Sequence, residues 1–309
     1  MRIDRRTWLA GALGGAATML WPSAPRAQRT RTRLVLLGTA GGPRPRRAPS
    51  AASQVIVIND MAYIVDCGDG VARQLTAAGI PVSRLRHIFI THQHSDHNAD
   101  YGNLILLSWA ELRAAVDAWG PPPLEKMTRL FLELNEFDIN TRIADEGRTP
   151  LAPLLRPHEI TRAGLVMQDD NVKVTAALVT HPPIEHAFAY RFDTADRSIV
   201  ISGDTARSDA LIALARGADV LVHECMWVPA VDRIAASLPN AATLKKHIID
   251  SHTPIEDVGR VAQAAGVKTL VLSHFVPADD PTITDQMWLD AARTHFRGAV
   301  IVGKDLMEI

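Results

Sequence analysis

Three histidines and one aspartate lie within six residues of this chain, at His92, His94, Asp96 and His97. The apolar run at residues 87–90 precedes them and predicts a β-strand that ends just before the first histidine. In extended backbone, side chains two residues apart point to the same side, so His92 and His94 can bind one ion. Asp96 and His97 fall where the chain turns towards a helix and can face a second ion. This density of imidazole and carboxylate groups predicts a metal site rather than a solvated turn.

Further candidate ligands follow predicted strands elsewhere in the chain. They are His181 after Val172–Val179, Asp204 after Ser198–Ser202, and His274 after Thr269–Leu272. Each of them alone would indicate only a polar residue at a strand end. Together they indicate four strand ends that meet at one sheet edge, where side chains converge on a site. Imidazole and carboxylate ligands favour zinc, and these ligand types also admit Mn²⁺ or Fe²⁺ at one position.

With these residues the chain resembles the metallo-β-lactamase superfamily, whose His-x-His-x-Asp-His signature corresponds to His92–His97. The similarity extends from about Leu34 to Ile309. It implies an α/β fold, a four-layer αβ/βα sandwich that holds two metal ions, usually zinc, at one edge. The implied ligands are His92, His94 and His181 for one ion and Asp96, His97 and His274 for the other, with Asp204 bridging both.

Two more positions narrow the resemblance. Glu224 follows a predicted strand, and His252 precedes a predicted helix. This pair resembles the branch of tRNA 3′-processing nucleases and arylsulfatase- or phosphodiesterase-like enzymes, in which a Glu orients a His at the oxyanion or leaving group. We therefore predict that Glu224, His252 and Asp96 are catalytic, with Asp96 orienting or deprotonating the attacking water. A structural interpretation stays open, in which Glu224 caps a turn and Ser251 or Thr253 caps the helix.

The first 27 residues have the pattern of an export signal. Arg5 and Arg6 form a twin-arginine pair, a weakly apolar stretch rich in Ala and Gly follows, and the small Ala27 marks a cleavage point. We therefore predict a signal peptide over residues 1–27, export to the periplasm, and one mature domain over residues 28–309. The apolar stretch is shorter than the ~20 residues of a membrane span, so we expect no stable span in the mature protein.

Charge argues against a nucleic-acid partner. The chain has 33 Lys and Arg against 34 Asp and Glu, and removal of residues 1–27 leaves 29 against 33, a net charge of −4. Nucleic-acid binders usually carry a basic excess. By comparison with the resembling family, the chain also lacks the long Gly-rich basic arm with which tRNA-processing nucleases hold their substrate. Relatives of this kind often form dimers, so a homodimer is an expectation from the resemblance.

Residues 104–157 contain mostly helical patterns and no ligand-bearing strand end, which predicts a helical insertion near the site. Its aromatic residues Trp109, Trp119 and Phe131 would suit either the core or the wall of an aryl pocket. The combined expectation is an exported dinuclear zinc hydrolase of small anionic esters, arylsulfatase- or phosphodiesterase-like, in which a metal-bridging hydroxide is the nucleophile.

Three alternatives stay open. A tRNA 3′-processing endoribonuclease has the same residues. A lactonase or β-lactamase uses the same scaffold for acyl transfer, although the commonest zinc β-lactamases carry Cys where this chain has Asp204. An exported protein that binds metal without catalysis is the third, and the added presence of His252 argues against it.

Overall fold

The structure is a computed structural model that describes residues 32–236, 239 and 241–309. The predicted signal peptide lies outside these residues. Within them, two sheets face each other and helices cover their outer surfaces.

The first sheet contains six strands that neighbour each other in chain order: β1 Thr32–Gly38, β2 Ser53–Ile58, β3 Met61–Val65, β4 Leu85–Phe89, β5 Val116–Gly120 and β6 Leu155–Glu159. β1 to β3 are antiparallel, and β3 to β6 are parallel. The turn between β2 and β3 is formed by Asn59 and Asp60, whose φ angles of 47° and 66° suit a tight hairpin.

The second sheet also follows chain order, with β7 Gly164–Gln168, β8 Val172–Leu178, β9 Phe188–Thr194, β10 Ser198–Ile201, β11 Val220–Met226, β12 Thr269–Val276 and β13 Ala299–Val302. β7 to β10 are antiparallel, and β10 to β13 are parallel. As a result, β8, β10, β11 and β12 run in the same direction. Their carboxyl ends lie at one edge of the sheet, where the candidate ligands of this half are found.

The helices are α1 Val71–Ala77, α2 Ser95–Asn98, α3 Tyr101–Ser108, α4 Leu124–Leu134, α5 Glu136–Glu146, α6 Asp209–Leu214, α7 Val228–Ala236, α8 Ala241–Ser251, α9 Ile255–Ala265 and α10 Asp285–Arg293. Ser208 and Thr284 cap α6 and α10, because each hydroxyl accepts a hydrogen bond from a backbone N–H three residues on. Among the described residues, no helix combines the length and the apolar character that crossing a membrane requires.

Three apolar layers separate these elements and confirm the predicted four-layer sandwich. Alternate residues of β1 show the arrangement: Leu34 and Leu36 pack between the two sheets, whereas Val35 and Leu37 pack against the helices outside the first sheet. Both faces of β1 are therefore buried, which explains its unbroken apolar run. A third layer lies between the second sheet and helices α6, α9 and α10.

Residues 104–157 contain α4 and α5, as predicted, but they also contribute β5 to the first sheet. β5 pairs in parallel with β4, so part of this segment belongs to the basic fold. Its strand signal is weak because it is short and includes Asp117 and Gly120, residue types that are depleted in strands. The buried residues Leu124 and Ile139 attach α4 and α5 to the outer core of the first sheet.

Candidate metal centre

Three candidate ligands, His92, His94 and His181, turn their ring nitrogens towards one point. The Nδ1 atom of His94 lies 3.0 Å from Nε2 of His92 and 3.1 Å from Nε2 of His181. Two ligands about 2.1 Å from a tetrahedral zinc ion lie roughly 3.4 Å apart. The spacing of these nitrogens therefore fits one bound ion.

Burial keeps these imidazoles in the form that binds a metal. It lowers the pKa of His92, His94 and His181, and the pKa of His94 falls to about 4. All three rings are therefore neutral at pH 7, and a neutral imidazole has a lone pair available for a metal ion.

A second group joins Asp96, His97, Asp204 and His274, whose donor atoms all lie within 4.8 Å of one another. Nε2 of His274 lies 3.2 Å from Oδ1 of Asp204 and 3.4 Å from Oδ2 of Asp96. Oδ2 of Asp204 lies 3.3 Å from Nε2 of His97 and 3.8 Å from Nε2 of His92. Asp204 therefore stands between the two groups, where a bridging ligand would be needed.

The chemistry of this second group fits a divalent cation. Burial lowers the pKa of His97, but the carboxylates of Asp204, Asp66 and Asp96 raise it by more. These carboxylates therefore favour positive charge at this point of the cluster. Oδ1 of Asp204 is buried and accepts no hydrogen bond from the described residues. A buried carboxylate oxygen without a donor is costly, and a bound cation would remove that cost. The structure thus brings all seven predicted ligands together, and their role as ligands stays a prediction.

Two residues that the sequence patterns did not identify as partners of the candidate ligands, Asp66 and Ser251, hold ligand rings in place. Nδ1 of His97 donates to Oδ2 of Asp66 at 2.8 Å, and Oδ1 of Asp66 accepts from the backbone N–H of Thr91. Nδ1 of His181 donates to the carbonyl oxygen of Ser251 at 2.9 Å. Such partners fix the ring tautomer and leave the opposite nitrogen for the metal. Asp66 directly follows β3, so a carboxylate after a strand end was a signal that could have identified it.

The backbone is strained at two of these positions. Asp66 and His274 have φ angles of 62° and 44°, a region that residues other than glycine rarely adopt. His274 lies within β12, where the register with β11 shifts between Glu224 and Cys225. The sequence pattern predicts that this strand ends at Leu272, before His274, whereas the strand continues to Val276. A bulge redirects a side chain locally, and here it presents the imidazole to the cluster.

Glu224 and His252 lie in contact beside the second group. Oε1 of Glu224 is 3.2 Å from Nδ1 of His252 and also accepts the backbone N–H groups of Thr205 and Thr253. Nδ1 of His252 lies 3.9 Å from Oδ2 of Asp204. Burial lowers the pKa of His252, but the carboxylates of Glu224, Asp204 and Asp96 together more than offset it, Glu224 most of all, and the pKa rises to about 9. His252 is therefore protonated at neutral pH, as a proton donor must be.

The interpretation of Ser251 or Thr253 as the cap of the following helix is wrong. The hydroxyl of Ser251 donates to the carbonyl of Pro182, and that of Thr253 donates to the carbonyl of Thr205. α9 begins after Pro254 without a side-chain cap. The two hydroxyls instead attach the segment that carries His252 to loops around the cluster.

Two cavities open beside the cluster, on either side of the loop formed by residues 42–47, which we call the arginine loop. The first has a volume of about 240 Å³, and Arg44, Arg46, Arg73 and Asp96 contribute to its lining. The second has a volume of about 310 Å³ and includes His252 in its wall. The backbone N–H of residue 42 donates to Oδ2 of Asp96 at 2.8 Å, so the loop is attached to the cluster.

Comparisons with known proteins agree with the fold. Residues 62–275 match the sequence profile described as Beta-lactamase superfamily domain. The metallo-beta-lactamase fold protein YhfI from Bacillus subtilis superposes with a TM-score of 0.67 at 19% identity and covers 90% of this chain and 99% of that one. Human tRNase Z, short form, superposes with a TM-score of 0.65 at 21% identity and covers 90% of this chain and 98% of that one.

Relatives that are closer in sequence carry the name Ribonuclease Z. That of Mycobacterium bovis (strain BCG / Pasteur 1173P2) is 34% identical over 280 residues, which cover 89% of this chain and 97% of the relative. That of Mycobacterium tuberculosis (strain ATCC 25618 / H37Rv) is 33% identical over 280 residues, with the same coverage.

These relatives contradict the expectation that excluded nucleic acid. The alignment leaves about 3% of each relative unmatched, since 97% is covered. Proteins named for RNA cleavage therefore match this chain without a long additional arm, and the missing arm does not separate this chain from them. Net charge also fails as a criterion, because it sums over the whole chain and does not register that Arg44, Arg46 and Arg73 line one cavity beside the cluster.

Proposed function

Because the chain belongs to the beta-lactamase superfamily and is a metal-dependent hydrolase of ester bonds, we propose that it cleaves phosphodiester bonds in RNA, as a tRNA 3′-processing endonuclease does. The observation that carries this proposal is the similarity to proteins named Ribonuclease Z over 97% of their length. Similarity of that extent leaves almost no part of these relatives without a counterpart in this chain.

The arginine loop supports a polyanionic substrate. Arg44, Arg46 and Arg73 line the cavity that reaches Asp96. Arg44 pairs with Asp279 and still exposes 62% of its side chain. Phosphate groups are the usual partners of such arginines, and these contacts hold a nucleic acid in register without reading its bases. A negative net charge over the whole chain is compatible with this local concentration of positive charge.

The cluster would hold two divalent ions, and we expect zinc at both positions, in the groups His92, His94, His181 and Asp96, His97, His274, with Asp204 shared. Such ions supply an activated water molecule and neutralise charge on the phosphoryl oxygens. Asp96 orients the attacking water and accepts its proton. The water oxygen forms a bond to phosphorus while the bond from phosphorus to the leaving oxygen breaks. His252, held by Glu224, donates its proton to that oxygen, so the products are a phosphomonoester and an alcohol.

A substrate panel on the zinc-loaded chain tests the proposal. It contains an RNA with a 3′ extension, an aryl phosphodiester, an aryl sulfate, a lactone and a β-lactam. We expect metal-dependent cleavage of the RNA and of the aryl phosphodiester. A preference for the aryl sulfate would overturn the proposal in favour of an arylsulfatase-like enzyme. Turnover of the lactone or β-lactam alone would indicate acyl transfer, and bound metal without any turnover would indicate a non-catalytic metal-binding protein.

A further inference from the structure

The second cavity beside the cluster, which we call the side pocket, differs in character from the first. Its volume of about 310 Å³ lies in the range of roughly 300–1,000 Å³ that is usual for small-molecule sites. Its lining is mostly apolar and comes from α7, α8, the end of β12 and the arginine loop. The residues that matter here are Arg44, Ile234, Leu244, His247, Ile248 and His252.

His247 forms a fixed wall of the side pocket. Its ring lies edge-to-face against three rings of the cluster, with centroid distances of 5.8 Å to His94, 5.9 Å to His181 and 6.2 Å to His252. Nδ1 of His247 also lies 3.3 Å from the hydroxyl of Ser251. The side chain is half-buried. A planar ring in such a fixed orientation, partly exposed to a cavity, is suited to stacking.

Other walls of the side pocket suit an apolar ring that carries a phosphate. Leu244 and Ile248 lie one turn apart on α8 and add aliphatic surface next to His247. Arg46 exposes only 7% of its side chain, and its Nε atom, which donates no hydrogen bond among the described residues, lies 3.9 Å from Oδ2 of Asp279. Arg44 pairs with the same Asp279 carboxylate, so two guanidinium groups face one carboxylate and leave net positive charge on the side of the pocket that faces the arginine loop.

We propose that the side pocket binds the planar ring of the leaving group, a nucleobase in an RNA substrate, and that His247 determines this specificity by stacking on it. The side of the cluster on which the leaving group lies follows from the position of His252. This residue lines the pocket and donates a proton to the leaving oxygen in the proposed reaction. A group attached to that oxygen must lie on the same side as His252. The inference thus rests on the proposed function, but its central claim concerns binding and can be measured without turnover.

Calorimetric titration of the zinc-loaded chain with phenylphosphonate and methylphosphonate tests the inference. Both probes offer the same anion, and only the first carries a ring. We expect wild-type protein to bind phenylphosphonate at least about fivefold more tightly, since stacking of a ring contributes about fivefold or more in affinity. His247→Ala and Leu244→Ala should reduce this ratio towards one, whereas His247→Phe should preserve it.

Ile249→Ala is the matched control, because Ile249 lies on the same helix and is 38% exposed outside the pocket lining. It should leave the ratio unchanged. Equal affinities for the two probes in wild-type protein would overturn the inference, as would an unchanged ratio in His247→Ala with full zinc content. Ring preference in a chain that cleaves no phosphodiester would leave the pocket supported and the proposed function refuted, so the two failures can be told apart.

Discussion

Oδ2 of Asp66 lies 2.8 Å from Nδ1 of His97, and 31 residues separate the two in the chain. This contact turns the opposite ring nitrogen towards His274 and Asp204. Asp66 is therefore an orienting residue beside the predicted ligands. It connects the end of β3 to the metal-binding motif after β4.

Replacement of Asp66 should weaken metal binding without removing a ligand. We expect Asp66→Ala to reduce zinc affinity about 10–100-fold, because ring orientation and basicity are lost. Competition with a chromogenic chelator measures this change. Asp69→Ala is the control, since Asp69 is exposed three residues further on. Asp66→Asn keeps the shape and tests the same point if the alanine variant does not fold. Wild-type affinity in both Asp66 variants would contradict the assigned role.

His252→Ala should lower kcat about 10²–10⁴-fold, the usual contribution of a general acid. The loss should be smaller for a p-nitrophenyl ester, whose leaving group departs without a proton. Steady-state kinetics on two esters that differ in leaving group give the comparison. Zinc content should stay at the wild-type level, and its loss would show that His252 is a ligand.

Glu224→Gln should change the pH dependence of the reaction. Burial lowers the pKa of His252, and the carboxylates of Glu224, Asp204 and Asp96 raise it to about 9, with the largest contribution from Glu224. A raised pKa keeps the acid form present below it, so kcat/KM should fall as pH rises through this value. In Glu224→Gln the carboxylate charge is absent, so the alkaline limb of the plot of kcat/KM against pH should move at least about one pH unit lower. The amide oxygen of Gln still accepts from Thr205 and Thr253. An unmoved limb in the pH–rate profile would contradict the proton-donor role.

Removal of metal should destabilise the fold. The carboxylates of Asp96 and Asp204 are buried in the same group, and a chelator would remove the metal ions that balance their charges. A ligand that binds only the folded state adds about 2.7 kcal/mol when it is present at a hundred times its Kd. Thermal unfolding should therefore show a lower Tm in EDTA and recovery with zinc. The Tm of an Asp204→Asn variant should change less between EDTA and zinc than the Tm of the wild type. An equal change would argue against Asp204 as a shared ligand.

The predicted signal peptide can be tested apart from the catalytic site. Residues 1–27 fused to a folded reporter should direct it to the periplasm of a bacterial host. Replacement of both Arg5 and Arg6 by Lys should retain the reporter in the cytoplasm, and replacement of Arg2 should not. Cell fractionation measures the distribution. A reporter that stays in the cytoplasm with the intact segment would remove the export prediction and leave the proposed chemistry unaffected.

The sequence could predict which candidate ligands lie together, because their positions follow from regular structure. Parallel strands bring their carboxyl ends to one edge, so a His or Asp at or near each strand end indicates the site without knowledge of side-chain packing, although His274 lies within β12 at a bulge. β1, β2 and β3 were equally predictable, since their apolar runs and the Asn59–Asp60 turn are local signals. β5 was not predictable, because Asp117 and Gly120 weaken its pattern and neighbouring strands hold it in the sheet.

The supporting residues required the three-dimensional arrangement. His247 has no local pattern, and its place beside His94 depends on how α8 packs against the strand ends. Ser251 acts through its backbone carbonyl, which any residue type would supply. The charge argument against nucleic acid, with which the relatives disagree, was weak for a related reason. Net charge sums over the whole surface, whereas binding depends on where groups such as Arg44 lie.

The most direct measurement is cleavage of a 3′-extended RNA by the zinc-loaded chain in water enriched in ¹⁸O. We expect site-specific cleavage in which one ¹⁸O atom enters the new phosphomonoester, abolished by EDTA and strongly reduced in His252→Ala with its zinc retained. Intact RNA under conditions in which the same preparation hydrolyses an aryl sulfate would contradict it. Cleavage that leaves a cyclic phosphate without ¹⁸O would contradict it equally.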